Sequence, residues 1–219
     1  MFFDPREAGM KPEPFKHSVY SALVVPRPIG WISSLSAEGV VNLAPFSFFN
    51  ALSGDPPCVM YCPNAVKPGT GEKKDSYQNV QDTGEFVFNM CTWDLRHEMI
   101  ATAEHAPASV DEMAKAGLEA APCNNVSPPR VKASAIALEC KHIQTIDLPP
   151  GRNSQSHVVM GEVVGVHIDD DVITDGIVDI HKMELIARLS YLDYAKIESE
   201  NIMRSEERRV GKECRSRWS

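Results

Sequence analysis

The chain has 219 residues, 43% hydrophobic and 24% charged, which is the balance of an ordinary globular protein and suits one large domain better than two small ones. A net charge of −8 argues against nucleic acid as the main partner, since such proteins favour a basic face. No apolar run approaches the roughly 18–20 residues of a membrane helix, and Met1–Pro5 lacks the basic and apolar regions of a secretion signal, so a cytoplasmic protein with neither membrane nor nucleic acid among its partners is expected.

In chain order the predicted elements are mostly short strands. Apolar and β-branched runs occupy Ser18–Val25 and Ile29–Leu35, separated by Pro26-Arg27-Pro28. Ser36-Ala37-Glu38-Gly39 is a turn signal, and extended structure resumes at Val40–Leu43, so residues 29–43 read as a hairpin. Further strands are expected at Val59–Cys62, Phe86–Met90, Val131–Ile146, Val158–Ile168 and Val172–Ile173. The two long ones flank the loop Pro149–Ser154, as in a long antiparallel hairpin. Helical period is local: Ser76–Asp82, Trp93–Glu104, and Ser109–Ala116, where Ser109 and Glu112 have capping-box spacing. Strands outnumber helices without alternating regularly with them. The expected fold class is therefore mainly β with peripheral helices, an antiparallel barrel rather than a doubly wound sheet.

From Arg204 the text changes character. Residues 204–219 carry six Lys or Arg against three Asp or Glu and show no hydrophobic period. The segment reads as a vector-derived tail, leaving 1–203 as the domain. Cysteines stand at 58, 62, 91, 123, 140 and 214. Cys58 and Cys62 form the one close pair, inside an apolar run, and read as buried free thiols in a reducing compartment; no metal is expected.

Several motifs are missing. Gly69-Thr70-Gly71 completes neither a dinucleotide turn nor a P-loop, His97-Glu98 lacks the second histidine of a zincin helix, and no G-x-S-x-G elbow occurs. What is present is a segment suited to a phosphate. Gly71–Asn79 places Lys73, Lys74 and Ser76 at a helix start, where unpaired N–H groups and a partial positive charge favour an anion. Asp75 opposes this unless it turns away to cap the helix. Read alone, the segment also fits a solvated helix start. A second segment, Asn42–Asn50, alternates small and aromatic residues around Pro45. It could border a flat ring with backbone polar groups, or be a core strand with a proline bulge.

Taken together, Arg27–Ser34, Gly39–Asn50, Asp55-Pro56-Pro57, Lys74–Asn79, Glu85–Asn89, Pro129–Val131, Gly161–Val163 and Ala187–Tyr194 resemble, in order, the flavin-reductase-like FMN-binding family. The resemblance runs from about residue 15 to 197. It implies an FMN-binding split β-barrel, usually a homodimer, with FMN near the subunit interface. It also implies that Ser33 and Ser34 face the phosphate or ribityl chain. Asn42, Leu43, Ala44, Pro45, Phe46, Ser47 and Asn50 would line the flavin ring, and Lys74 and Ser76 would hold the phosphate. Ser76 stands where the family often has threonine, and Ser190 where it often has glycine.

In relatives that reduce free flavin, a Gly-Asp-His precedes the strand corresponding to Val158–Ile168, and the histidine lies near the nicotinamide. Here the text is Ser154-Gln155-Ser156-His157: the histidine remains, and the acidic neighbour does not. His157 is thus the expected catalytic residue of an NAD(P)H:flavin oxidoreductase that takes hydride from NADH or NADPH. A flavoredoxin-like carrier, exchanging electrons between FMN and a protein partner without nicotinamide turnover, is the alternative, and the missing acidic neighbour leans toward it. The other histidines read as structural or solvated.

Overall fold

The computed structural model describes residues 1–63, 66, 67, 71, 73–151 and 155–203. The tail 204–219, Glu72 of the phosphate-like segment and Ser154 lie outside the described residues.

The alternating runs become seven strands of one sheet: β1 (Gly30–Leu35), β2 (Val41–Phe46), β3 (Phe49–Gly54), β4 (Pro57–Tyr61), β5 (Glu85–Asn89), β6 (Ile136–Asp147) and β7 (His157–Ile168). Their order across the sheet is β2-β1-β5-β6-β7-β4-β3, antiparallel at every step. β2 and β3 are thus opposite edges, yet only Ser47 and Phe48 separate them in the chain. So short a link holds one end of each edge together. The sheet rolls into a barrel that stays split between β2 and β3, because these two strands do not pair. Pro45 sits on β2 opposite Trp31. An edge is where a strand tolerates a residue with no N–H to donate.

Two cores follow from the two faces of the sheet. Ile32, Phe46, Tyr61, Phe86, Phe88 and Val159 fill the barrel interior. Phe49 of β3 stacks on Phe88 of β5 with ring centroids 4.6 Å apart, which ties the far edge to the centre. Gly30 makes room for that ring: a Cβ there would lie 2.4 Å from a Phe49 ring atom. Outside the barrel, Trp31 and Leu43 pack with Met99, Met113, Val131 and Ile186. Two helices cover this side, α2 (Arg96–Ala101) through Met99 and α3 (Glu112–Lys115) through Met113, whereas α1 (Asp75–Thr83) sends Val80 into the barrel interior. The buried Trp31 indole donates to Thr102 Oγ1 at 2.9 Å, anchoring the end of α2 on β1. Among the described residues no helix is long and apolar enough to cross a membrane.

Several elements differ from the sequence reading: the strand expected at Val131–Ile146 runs only from Ile136, and Val172 closes a 3₁₀ turn, Asp170–Val172, rather than starting a strand. Ser18–Val25 is not a strand but a one-turn helix, Tyr20–Leu23, followed by loop; Leu23 and Val24 are exposed and no neighbouring strand pairs with them. Trp93–Glu104 splits into a 3₁₀ turn, Trp93–Leu95, and α2. The capping box at Ser109 does not form. Asp111 caps α3, its Oδ1 accepting the Ala114 N–H at 2.9 Å, which frees Glu112 to turn inward. The long hairpin forms as expected, with Asp147 opposite His157 at its loop end.

Candidate functional site

A small cavity of about 90 Å³ opens where the edge strand β2 meets the start of α1. Asn42, Ala44, Pro45 and Phe46 form one wall; Lys67 and Lys74–Ser76 form another; Thr102–Ala106 and Glu112 close it. Six of the residues expected at a flavin site therefore meet around one space: Asn42, Ala44, Pro45, Phe46, Lys74 and Ser76.

The cavity can take an anion. α1 begins at Asp75; the Tyr77 and Gln78 N–H groups donate to Lys74 O at 3.0 and 2.9 Å, while those of Asp75 and Ser76 have no partner within the helix. Among the described residues no side chain caps this end, so the Asp75 and Ser76 N–H groups are left for a ligand or water. Ser76 is buried, and its carbonyl accepts the Tyr61 hydroxyl at 2.7 Å, which fixes the helix start against the barrel. Asp75 does not cap the helix. Its Oδ2 instead pairs with Lys67 Nζ at 2.8 Å. Burial pulls the Lys74 ammonium below its ordinary value, while the nearby Glu112 charge opposes that shift. An arriving phosphate would favour the charged ammonium.

Glu112 was absent from the sequence reading as a site residue. Its Oε2 accepts the Leu43 N–H at 2.9 Å and a hydrogen bond from Asn42 Nδ2. Burial raises its carboxyl to about 7; the Leu43 N–H counters that rise, and Asp75 adds to it. Asn42 Oδ1 accepts from Ser34 Oγ at 3.4 Å, and Ser34 Oγ accepts from Asn79 Nδ2 of α1 at 3.1 Å. This buried chain of polar groups links β1, β2, α1 and α3 under the cavity floor. The sequence separation of Glu112 and Leu43 is 69 residues, so only the fold reveals it.

The other expected residues lie apart from this space. Ser33 is fully buried, donating to Pro129 O at 2.6 Å and accepting from Asn89 Nδ2 at 3.1 Å. Ser34 belongs to the polar chain beneath the floor, and the Leu43 side chain is in the outer core. Ser47 Oγ accepts from Arg27 Nε at 3.3 Å, and Asn50 is exposed on the edge strand β3.

His157 does not line the cavity. It is buried, its Nδ1 is 2.7 Å from Asp147 Oδ1, and its ring lies 4.4 Å from that of Tyr77, the residue after Ser76 on α1. The acidic partner missing beside His157 in sequence is thus supplied across the hairpin. The signal lay in register: the two are ten positions apart in the chain and directly opposite one another across the β6–β7 hairpin. Elsewhere, His105 lines the cavity, His142 Nε2 meets Thr145 Oγ1 at 2.8 Å, and His167 Nε2 meets Glu139 Oε1 at 2.5 Å.

An antiparallel split barrel with an anion-ready helix start beside its open edge defines a class of proteins, and comparison with known proteins agrees. Residues 22–183 match the family described as the flavin reductase like domain. The chain belongs to that family. An uncharacterized protein of Aquifex aeolicus is 37% identical over 175 residues, covering 80% of this chain and 86% of that one. The uncharacterized protein YwrF of Bacillus subtilis is 31% identical over 189 residues, covering 84% and 90%. Among solved structures, nitrilotriacetate monooxygenase component B from Bacillus cereus superposes with a TM-score of 0.82 at 26% identity, covering 93% of this chain and 98% of that one. Flavoredoxin of Desulfovibrio vulgaris (Miyazaki F) shares the fold, with a TM-score of 0.68 at 18% identity and coverage of 84% and 92%.

Proposed function

We propose that the protein binds FMN with its phosphate at the start of α1 and accepts hydride from NADH or NADPH. The observation that carries the FMN assignment is the cavity that brings Lys74 and Ser76 to the β2 edge. Its donors fit a phosphate dianion: the Lys74 ammonium, the Ser76 hydroxyl and the N–H groups of Asp75 and Ser76. Of its three carboxylates, Asp75 is tied to Lys67, Glu104 reaches Lys115 at 3.5 Å, and Glu112 is half protonated near neutrality. The cavity has room for a phosphate group but is far smaller than the roughly 300–1,000 Å³ of an enclosed cofactor site. The ribityl chain and ring would therefore run outward along Ala44–Phe46 and Ser47, and Ser33 and Ser34 would act beneath the floor rather than on the ligand.

FMN, when bound, supplies the hydride-accepting and electron-passing chemistry. The chain supplies position and electrostatics. Lys74 and the helix start neutralise the phosphate, and Glu112 holds Asn42 and Leu43 so that β2 presents a fixed edge. His157, oriented by Asp147 and braced by Tyr77, is the polar group we assign to the nicotinamide. That built pair favours the reductase over the electron carrier, because it restores the acidic partner whose absence had favoured the carrier.

A second copy of the chain would complete the site. β3 is uncovered along most of its length, with Leu52 half exposed, and Phe48 beside it is open too. An uncovered apolar edge strand is a natural pairing surface, so a homodimer with the flavin ring at its interface is the assembly proposed. Acid release of the bound flavin followed by chromatography tests the cofactor: FMN is expected, and FAD as the main species would overturn the assignment.

A further inference from the structure

A second cluster of chemical groups lies on the far side of the sheet from the flavin cavity. Cys123 comes from the loop between Ala121 and Arg130, Glu139 from β6 and His167 from β7. One ligand atom from each (the cysteine Sγ, a carboxylate oxygen and an imidazole nitrogen) lies within 4.8 Å of the other two. We infer that Cys123, Glu139 and His167 form a binding site for a divalent ion of zinc type.

Three features of the backbone build this cluster. First, Glu139 is fully buried, although a carboxylate is costly to bury without compensation. Its oxygens accept the Asn124 N–H at 2.8 Å and the Asn125 N–H at 2.6 Å, which fixes the carboxylate and draws the Cys123 loop over it. Second, the β6–β7 register shifts between Glu139 and Cys140. Such a bulge re-aims a side chain and recurs beside functional sites. Third, Gly165 is directly opposite Glu139, and a Cβ there would lie 2.8 Å from the carboxyl carbon. Any other residue would push the carboxylate away from His167.

The donor set selects the ion. A thiolate and an imidazole favour zinc-like ions over magnesium or calcium, and one carboxylate oxygen is compatible with tetrahedral zinc. Mutual distances within 4.8 Å allow three ligands to close on one ion with small rotations, leaving a fourth position for water. The His167 side chain is 21% exposed, so an ion has a route in from solvent. On binding, the Cys123 thiol proton leaves to solvent and the His167 ring proton moves to Nδ1, freeing Nε2. The thiolate and carboxylate charges then balance the ion, and no oxidant or reductant is needed.

The test uses the full chain, stripped with chelator and titrated with cobalt(II), then competed with zinc(II). One equivalent is expected to give a thiolate-to-cobalt charge-transfer band that zinc abolishes, together with a zinc-dependent rise in melting temperature. Cys123→Ser should remove the band, and His167→Gln, at a partly exposed position, should weaken zinc binding on the order of 100-fold, the top of the range for losing even an outer partner. Cys58→Ser and Cys214→Ser should leave both unchanged. No band in the wild type at saturating cobalt would overturn the inference. So would a band that survives Cys123→Ser, or an unchanged zinc affinity in folded His167→Gln.

Discussion

Glu112 gives the account its most quantitative prediction. Burial raises its carboxyl from the ordinary 4.5 to about 7 in the folded chain. The folded state therefore holds this proton more tightly than the unfolded chain does. The stabilising effect is fully present below pH 4.5 and is lost as pH rises through 7. At 1.36 kcal/mol per unit, the whole effect is roughly 3 kcal/mol, most of which falls between pH 5 and 8. Glu112→Gln keeps an oxygen to accept from Leu43 and Asn42 and removes the titration. Urea unfolding of wild type and variant at pH 5, 6, 7 and 8 measures the difference directly. The wild type should lose roughly 2 to 3 kcal/mol relative to the variant across that range. A difference that stays constant to within about 0.5 kcal/mol would refute the raised carboxyl and with it the protonated state assigned to the cavity near neutrality.

Lys74→Ala should weaken FMN binding by roughly 1–3 kcal/mol while leaving riboflavin nearly unaffected; equal losses for both flavins by fluorescence titration would show that Lys74 acts on folding instead. His157→Ala should leave flavin binding intact, slow reduction by NADH or NADPH, and leave reduction by dithionite unchanged, since that reagent needs no docking site; an unaltered rate across a full nicotinamide titration would remove His157 from the site. Leu52→Glu on the uncovered β3 edge should shift the sedimentation coefficient from dimer to monomer at micromolar concentration, and a variant as dimeric as the wild type would place the interface elsewhere.

Much of the barrel was legible because strand period and turn residues are local signals. The β1–β2 hairpin followed from Ser36–Gly39, and the β6–β7 hairpin from two long apolar runs around Pro149–Ser154. Ser18–Val25 misled because its composition suits a strand, while strand identity depends on a partner that the fold does not provide there. At the cavity, the β2 and α1 segments were visible as motifs, but Lys67, Thr102–Ala106 and Glu112 reach it from distant parts of the chain and carry no local mark. Glu112 was read as half of a capping box. The competing cap, Asp111, won and turned it inward onto β2. Asp147 was overlooked for a related reason: its partnership with His157 is a matter of hairpin register, not of adjacency.

The central claim is that this family member takes electrons from a nicotinamide through a flavin held at the start of α1. An anaerobic titration of the FMN-loaded protein with NADH and then NADPH, followed by flavin absorbance, tests it most directly. Stoichiometric bleaching by at least one of the two is the expected result. A flavin that stays oxidised with both, yet bleaches fully with dithionite, would contradict the reductase assignment and make the protein an electron carrier.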